Sequence, residues 1–102
     1  MQQVDVTALE GALAAGAPLI DVREADEFAQ GRVPGAVLVP LSEFTARLDE
    51  IPSADTVYVI CAMGGRSAQA TQYLNATGVN AVNVAGGTEA WIASGRGVET
   101  GA

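Results

Sequence analysis

Short apolar runs alternate along this chain with stretches whose apolar residues recur at helical spacing, and each predicts an element. Val4 to Val6 predicts a short first strand, and Thr7-Ala8-Leu9-Glu10 has the form of a capping box opening a helix that ends near Gly16. Pro18-Leu19-Ile20-Asp21-Val22 reads as a buried strand finishing in charge, followed by a short helical turn from Ala25 to Gln30 closed by Gly31. Val33-Pro34-Gly35 is a turn signal, and Ala36 to Val39 is a strand ended by Pro40. Ser42 then caps a helix through Glu50, with Phe44, Arg47, Leu48 and Ile51 near helical spacing.

Thr56-Val57-Tyr58-Val59-Ile60 is the clearest strand, its β-branched and continuously apolar character suiting the centre of a sheet covered on both faces. Cys61 follows at once, then Gly64-Gly65, then a helix from about Arg66 to Ala76. Ala70, Tyr73 and Leu74 form its apolar stripe and Gly78 its C-terminal cap. Ala81 to Val84 is the last strand, Gly86-Gly87 a turn, and Thr88 the cap of a short helix carrying Trp91. Strands alternating with helices imply crossover connections and a mostly parallel sheet. Ligands of such sheets bind beyond the C-terminal strand ends, and Cys61 sits at one of them.

Composition narrows the chemistry. The 102 residues leave room for one domain, 1–102, and 49% hydrophobic content is enough for its core. Twelve acidic residues face five arginines and no lysine, a net charge of −7 that repels phosphate backbones and anionic membranes. The N-terminus has no basic start followed by an apolar run, and the apolar stretches fall far short of the ~20 residues of a membrane span. The expectation is therefore a cytoplasmic monomer. A single cysteine and no histidine exclude an internal disulfide and a histidine-activated nucleophile, and nearly exclude a zinc or iron–sulfur site. Cysteine chemistry here must rest on a thiolate stabilised by its electrostatic surroundings.

Ile60-Cys61-Ala62-Met63-Gly64-Gly65-Arg66-Ser67 meets that requirement. The two glycines permit positive φ and inward-pointing N–H groups, and the helix behind them adds about half a positive charge at its N-terminus. Arg66 is placed to bind donor oxygens through its planar fork. By contrast, Asp21 and Arg23 read as a structural pair fixing the loop after their strand, Glu24, Asp26 and Glu27 as a solvated face, and Trp91 as a core anchor.

The ordered motifs resemble those of the rhodanese family. Asp21-Val22-Arg23-Glu24 with Glu27-Phe28, followed by Gly31-Arg32-Val33-Pro34-Gly35-Ala36, is similar to the family's Asp-Val-Arg segment and its Gly-His-Ile-Pro-Gly-Ala. Cys61 to Arg66 resembles the six-residue active-site loop, and Gly86-Gly87 with Ala90-Trp91 the family's C-terminal Gly-Gly and tryptophan. The resemblance implies an α/β fold with a mostly parallel five-stranded sheet flanked by helices on both faces. It implies transfer of sulfane sulfur from thiosulfate or a persulfide to Cys61, and onward to cyanide, a thiol or a protein partner. Cys61 would be the nucleophile and Ala62, Met63, Gly64, Gly65 and Arg66 the binding loop. No cofactor or metal is implied, because the sulfur rides on the protein.

Two features depart from the family's pattern. Arg32 replaces the usual histidine at a position read as structural. Ala62 and Met63 are uncharged where some members carry arginine or lysine, which leaves room for persulfide or polysulfide donors. Cysteine phosphatases and arsenate reductases are the rival enzymes, but their loops hold five residues between Cys and Arg, whereas four separate Cys61 from Arg66. A non-catalytic binding module on the same fold is the rival from another class.

Overall fold

The continuous apolar run Val57–Ile60 takes the centre of a sheet, where both of its faces are covered. In the computed structural model, which describes all 102 residues, β1 (Gln2–Val4), β2 (Leu19–Asp21), β3 (Val37–Leu38), β4 (Val57–Ile60) and β5 (Ala81–Val84) pair in parallel. Their order across the sheet is β1-β5-β4-β2-β3.

Alternation along the strands divides the core in two. Ile20, Val22, Val39, Val57 and Val59 pack on one face with Phe44, Ala70, Leu74 and Cys61. Leu19, Ile60 and Val84 pack on the other with Val6, Leu9 and Trp91. The first face is therefore covered by α3 (Gly65–Ala76) and a 3₁₀ segment, Leu41–Glu50. The second is covered by α1 (Val6–Ala14) and α4 (Gly87–Ala93). A short α2 (Ala25–Gln30) joins β2 to the turn before β3. The α/β class and the parallel sheet are as the pattern predicts, and the five strands with helices on both faces are as the family resemblance implies.

Boundaries moved where capping groups competed. The first strand is Gln2–Val4, not Val4–Val6, because Asp5 rather than Thr7 caps α1, its carboxylate accepting the Ala8 N–H at 2.9 Å. Thr7 and Glu10 instead face Arg96, whose guanidinium lies 3.1 Å from the Glu10 carboxylate. Ser42 is no cap: it lies inside a segment that starts at Leu41, and its hydroxyl donates to Glu24 Oε1 at 2.8 Å. That segment is a 3₁₀ helix kinked at Arg47, a distinction ten residues of apolar spacing cannot make. Thr88 lies inside α4, which Gly86 opens.

Candidate active site

Cys61 is the first residue after β4, and the chain must reverse there to begin α3. Gly64 makes the reversal at φ +116°, a region costly to residues with a Cβ, and α3 starts at Gly65, which is itself helical. Only one of the two glycines therefore uses its conformational freedom.

The turn aims donors at the sulfur. The Gly64 N–H donates to Cys61 Sγ at 3.1 Å and the Ser67 hydroxyl reaches it at 3.3 Å. Burial pushes the Cys61 thiol up. The Ser67 hydroxyl and the backbone N–H groups of Ser67, Gly64 and Met63 outweigh it and hold the pKa below the ordinary thiol value. Cys61 is 1% exposed, which strengthens each of these contacts.

The loop carbonyls are drawn the other way. The Thr88 and Glu89 N–H groups at the start of α4 take the carbonyls of Cys61 and Ala62 at 2.9 and 3.0 Å, and Thr88 Oγ1 adds a bond to the Cys61 carbonyl at 3.1 Å. Gly87 lets α4 come this close: a Cβ there would lie 2.5 Å from the Cys61 carbonyl oxygen. With its carbonyls tied to α4, the loop presents N–H groups to the sulfur.

Behind the sulfur lies a buried polar network. Ser67 Oγ is 2.5 Å from Asn83 Oδ1, and Asn83 Nδ2 donates to the Gly64 carbonyl at 3.2 Å and to Gln3 Oε1 at 3.3 Å. Asn83 thus couples β5 to the start of α3 and to β1. Thr71 Oγ1 donates to the Ser67 carbonyl at 2.7 Å.

Two ion pairs flank the site. Arg23 is buried against Asp21, with Nη2 2.8 Å from Oδ2, and also donates to the carbonyls of Gly31 at 2.8 Å and Glu27 at 3.3 Å. This is the loop-fixing role its position predicts. Arg66 donates from Nη1 and Nη2 to the two carboxylate oxygens of Glu27, at 2.7 and 2.9 Å. Glu27 is therefore not part of a purely solvated face. The Arg66 guanidinium holds its carboxyl down at about 2 against the opposing effect of burial.

The family model for the rhodanese-like domain matches residues 5–94, from the cap of α1 through α4. The chain belongs to the rhodanese-like family. A sulfurtransferase of Allochromatium vinosum is 40% identical over 78 residues, covering 76% of this chain and 73% of that protein. The human thiosulfate:glutathione sulfurtransferase is 34% identical, covering 87% of this chain and 91% of its own. Among solved structures, a rhodanese-like domain protein from Staphylococcus aureus superimposes with a TM-score of 0.87 at 34% identity, with full coverage of both chains. At family level the chain is a rhodanese-like sulfurtransferase.

Of the loop residues named from the sequence, Met63 and Gly64 turn their N–H groups to the Cys61 sulfur, the Ala62 carbonyl is held by Glu89, Gly65 begins α3, and the Arg66 side chain turns to Glu27. Met63 is 73% exposed. Arg32, in place of the rhodanese histidine, ties down the C-terminal tail. Its Nη1 donates to the Gly101 carbonyl at 2.6 Å, its backbone pairs with Glu99, and its guanidinium lies 4.5 Å from the centre of the Phe28 ring. Trp91 is buried and its Nε1 donates to the Gly97 carbonyl at 2.8 Å, as an anchor should. Sequence reasoning missed Ser67 and Asn83. One signal was available: an asparagine inside the apolar run Ala81–Val84, in a strand covered on both faces, must find polar partners.

Proposed function

We propose that residues 1–102 work as one rhodanese-like domain that moves sulfane sulfur, from thiosulfate or a persulfide, through a persulfide on Cys61 to a thiophilic acceptor. The observation that carries this reading is the convergence of the Gly64 N–H and the Ser67 hydroxyl on Cys61 Sγ at the end of β4. In the loading step the Cys61 thiolate attacks the outer sulfur of the donor, the donor's S–S bond breaks, and its electron pair leaves with the remainder. That remainder is sulfite from thiosulfate and a thiolate from a persulfide. In the second step the acceptor attacks the outer sulfur of the Cys61 persulfide, and the Cys61 thiolate is the leaving group. The loop Ala62, Met63, Gly64, Gly65 and Arg66 surrounds the travelling atom, and the N–H groups that stabilise a thiolate suit a persulfide anion equally. The acceptor is cyanide, a small thiol or a protein thiol.

Turnover tests the reading: thiocyanate formed from cyanide and either donor in excess of the enzyme-free rate should be abolished by Cys61→Ser. Thiocyanate formed by the variant above the enzyme-free rate would contradict it. Release of phosphate from an aryl phosphate, with no thiocyanate, would favour an oxyanion enzyme instead.

A further inference from the structure

Arg66 is the only cation in the Cys61 loop, and it is already engaged. Both of its terminal nitrogens are committed to Glu27, at 2.7 and 2.9 Å. Glu27 is in turn anchored, because its Oε1 also accepts the Glu24 N–H at 3.1 Å in the capping box that opens α2. Arg23, whose guanidinium also reaches the Glu27 carbonyl, is matched by Asp21 in the same way. Each arginine near the site therefore has its own carboxylate, and the Cys61 thiolate is held chiefly by hydrogen bonds.

Sulfur donors differ in how they meet such a site. Thiosulfate is a dianion: Cys61–S⁻ + S–SO₃²⁻ → Cys61–S–S⁻ + SO₃²⁻, so three negative charges must share the cradle before and after transfer. An organic persulfide donates in its protonated form: Cys61–S⁻ + R–S–S–H → Cys61–S–S–H + R–S⁻, with one negative charge throughout. Like charges brought together without a counter-ion are penalised, and a free guanidinium is the group that would offset the penalty for the dianion.

We propose that Glu27 is a positioning residue that sets donor choice: by holding Arg66 in a two-pronged ion pair, it turns the Cys61 loop away from thiosulfate and toward organic persulfides. The inference rests on the sulfurtransferase reading and adds to it the class of donor. Glu27 acts through Arg66 alone, so its effect is on the ratio between donors.

The test measures loading of Cys61 by intact mass against time, with thiosulfate and with hydroxyethyl persulfide, for wild type, Glu27→Gln and Glu27→Gln/Arg66→Gln. Glutamine at position 27 keeps the reach of a capping box, so α2 retains its start. Wild type is expected to load faster from the persulfide at equal concentration. Glu27→Gln should raise the thiosulfate-to-persulfide rate ratio about tenfold, the scale of one released charge-assisted hydrogen-bonding group, through a lower half-saturating thiosulfate concentration. The added Arg66→Gln should return the ratio to the wild-type level, which a merely structural role for Glu27 would not do. A ratio unmoved by Glu27→Gln overturns the proposal. So does wild type loading from thiosulfate at least as fast as from the persulfide, a result that stands even if the variant fails to fold, and either of these leaves the sulfurtransferase reading intact. No sulfur on wild-type Cys61 from either donor overturns that reading and the proposal with it.

Discussion

Ser67 stands between two acceptors, Cys61 Sγ at 3.3 Å and Asn83 Oδ1 at 2.5 Å, and a hydroxyl has one proton to offer them. When Cys61 is a thiol, that proton can rest on Asn83 while the thiol donates to the serine oxygen. When Cys61 is a thiolate, it is needed at the sulfur. Ser67→Ala should raise the Cys61 titration midpoint by about one pH unit, since hydrogen bonds to charged groups are worth about 1.5–3 kcal/mol. The thiolate's ultraviolet absorbance followed against pH measures this, and an unmoved midpoint would remove Ser67 from the account. Cys61 was legible in the sequence because a strand, a cysteine, two glycines and an arginine in that order have few other uses. Ser67 was not, because a serine in the first turn of a helix is unremarkable until the fold brings Asn83 beside it.

At the scale of elements, the loop depends on how closely α4 approaches it. Gly87→Ala should destabilise the chain by about 2–4 kcal/mol, combining a left-handed residue with a Cβ 2.5 Å from the Cys61 carbonyl. Gly16→Ala is the control: at φ +94° with open space around its Cβ, it should cost about 1–2 kcal/mol for backbone strain alone. Urea titrations of the two variants compare them directly, and equal losses would contradict the packing argument.

The start of α2 carries an acid-dependent contribution. Glu27 titrates at about 2 in the folded chain and at its ordinary value of 4.5 when unfolded. The unfolded chain thus binds the proton more readily, so the stabilisation is complete above 4.5 and is lost as pH falls through about 2. The stability difference between wild type and Glu27→Gln should be level from neutral pH down to that upper value and shrink below it. A difference independent of pH would show that the Glu27 charge contributes nothing.

Strands and helices were legible because their apolar periods differ, but the 3₁₀ character of Leu41–Glu50 was not. Boundaries were not: the sequence pointed to Thr7 as the cap of α1, whereas the Asp5 carboxylate takes that place and ends β1 at Val4.

For the molecule as a whole, the pattern predicted a parallel sheet with its chemistry at the C-terminal strand ends, and the sheet is built that way. Pairings between distant residues were beyond it. Glu27 and Arg66 lie 39 positions apart, and only the side-by-side placement of β2 and β4 brings the elements that follow them together. Arg23 is matched locally, by Asp21 two residues before it, so that a chain of net charge −7 has its few cations near the site already paired. The central claim is that this arrangement serves one sulfur atom on one cysteine. Intact mass before and after exposure to a persulfide tests it most directly. The account predicts a gain of one sulfur atom on wild type, removed by cyanide and absent from Cys61→Ser. No gain on wild type, or an equal gain on the variant, would contradict it.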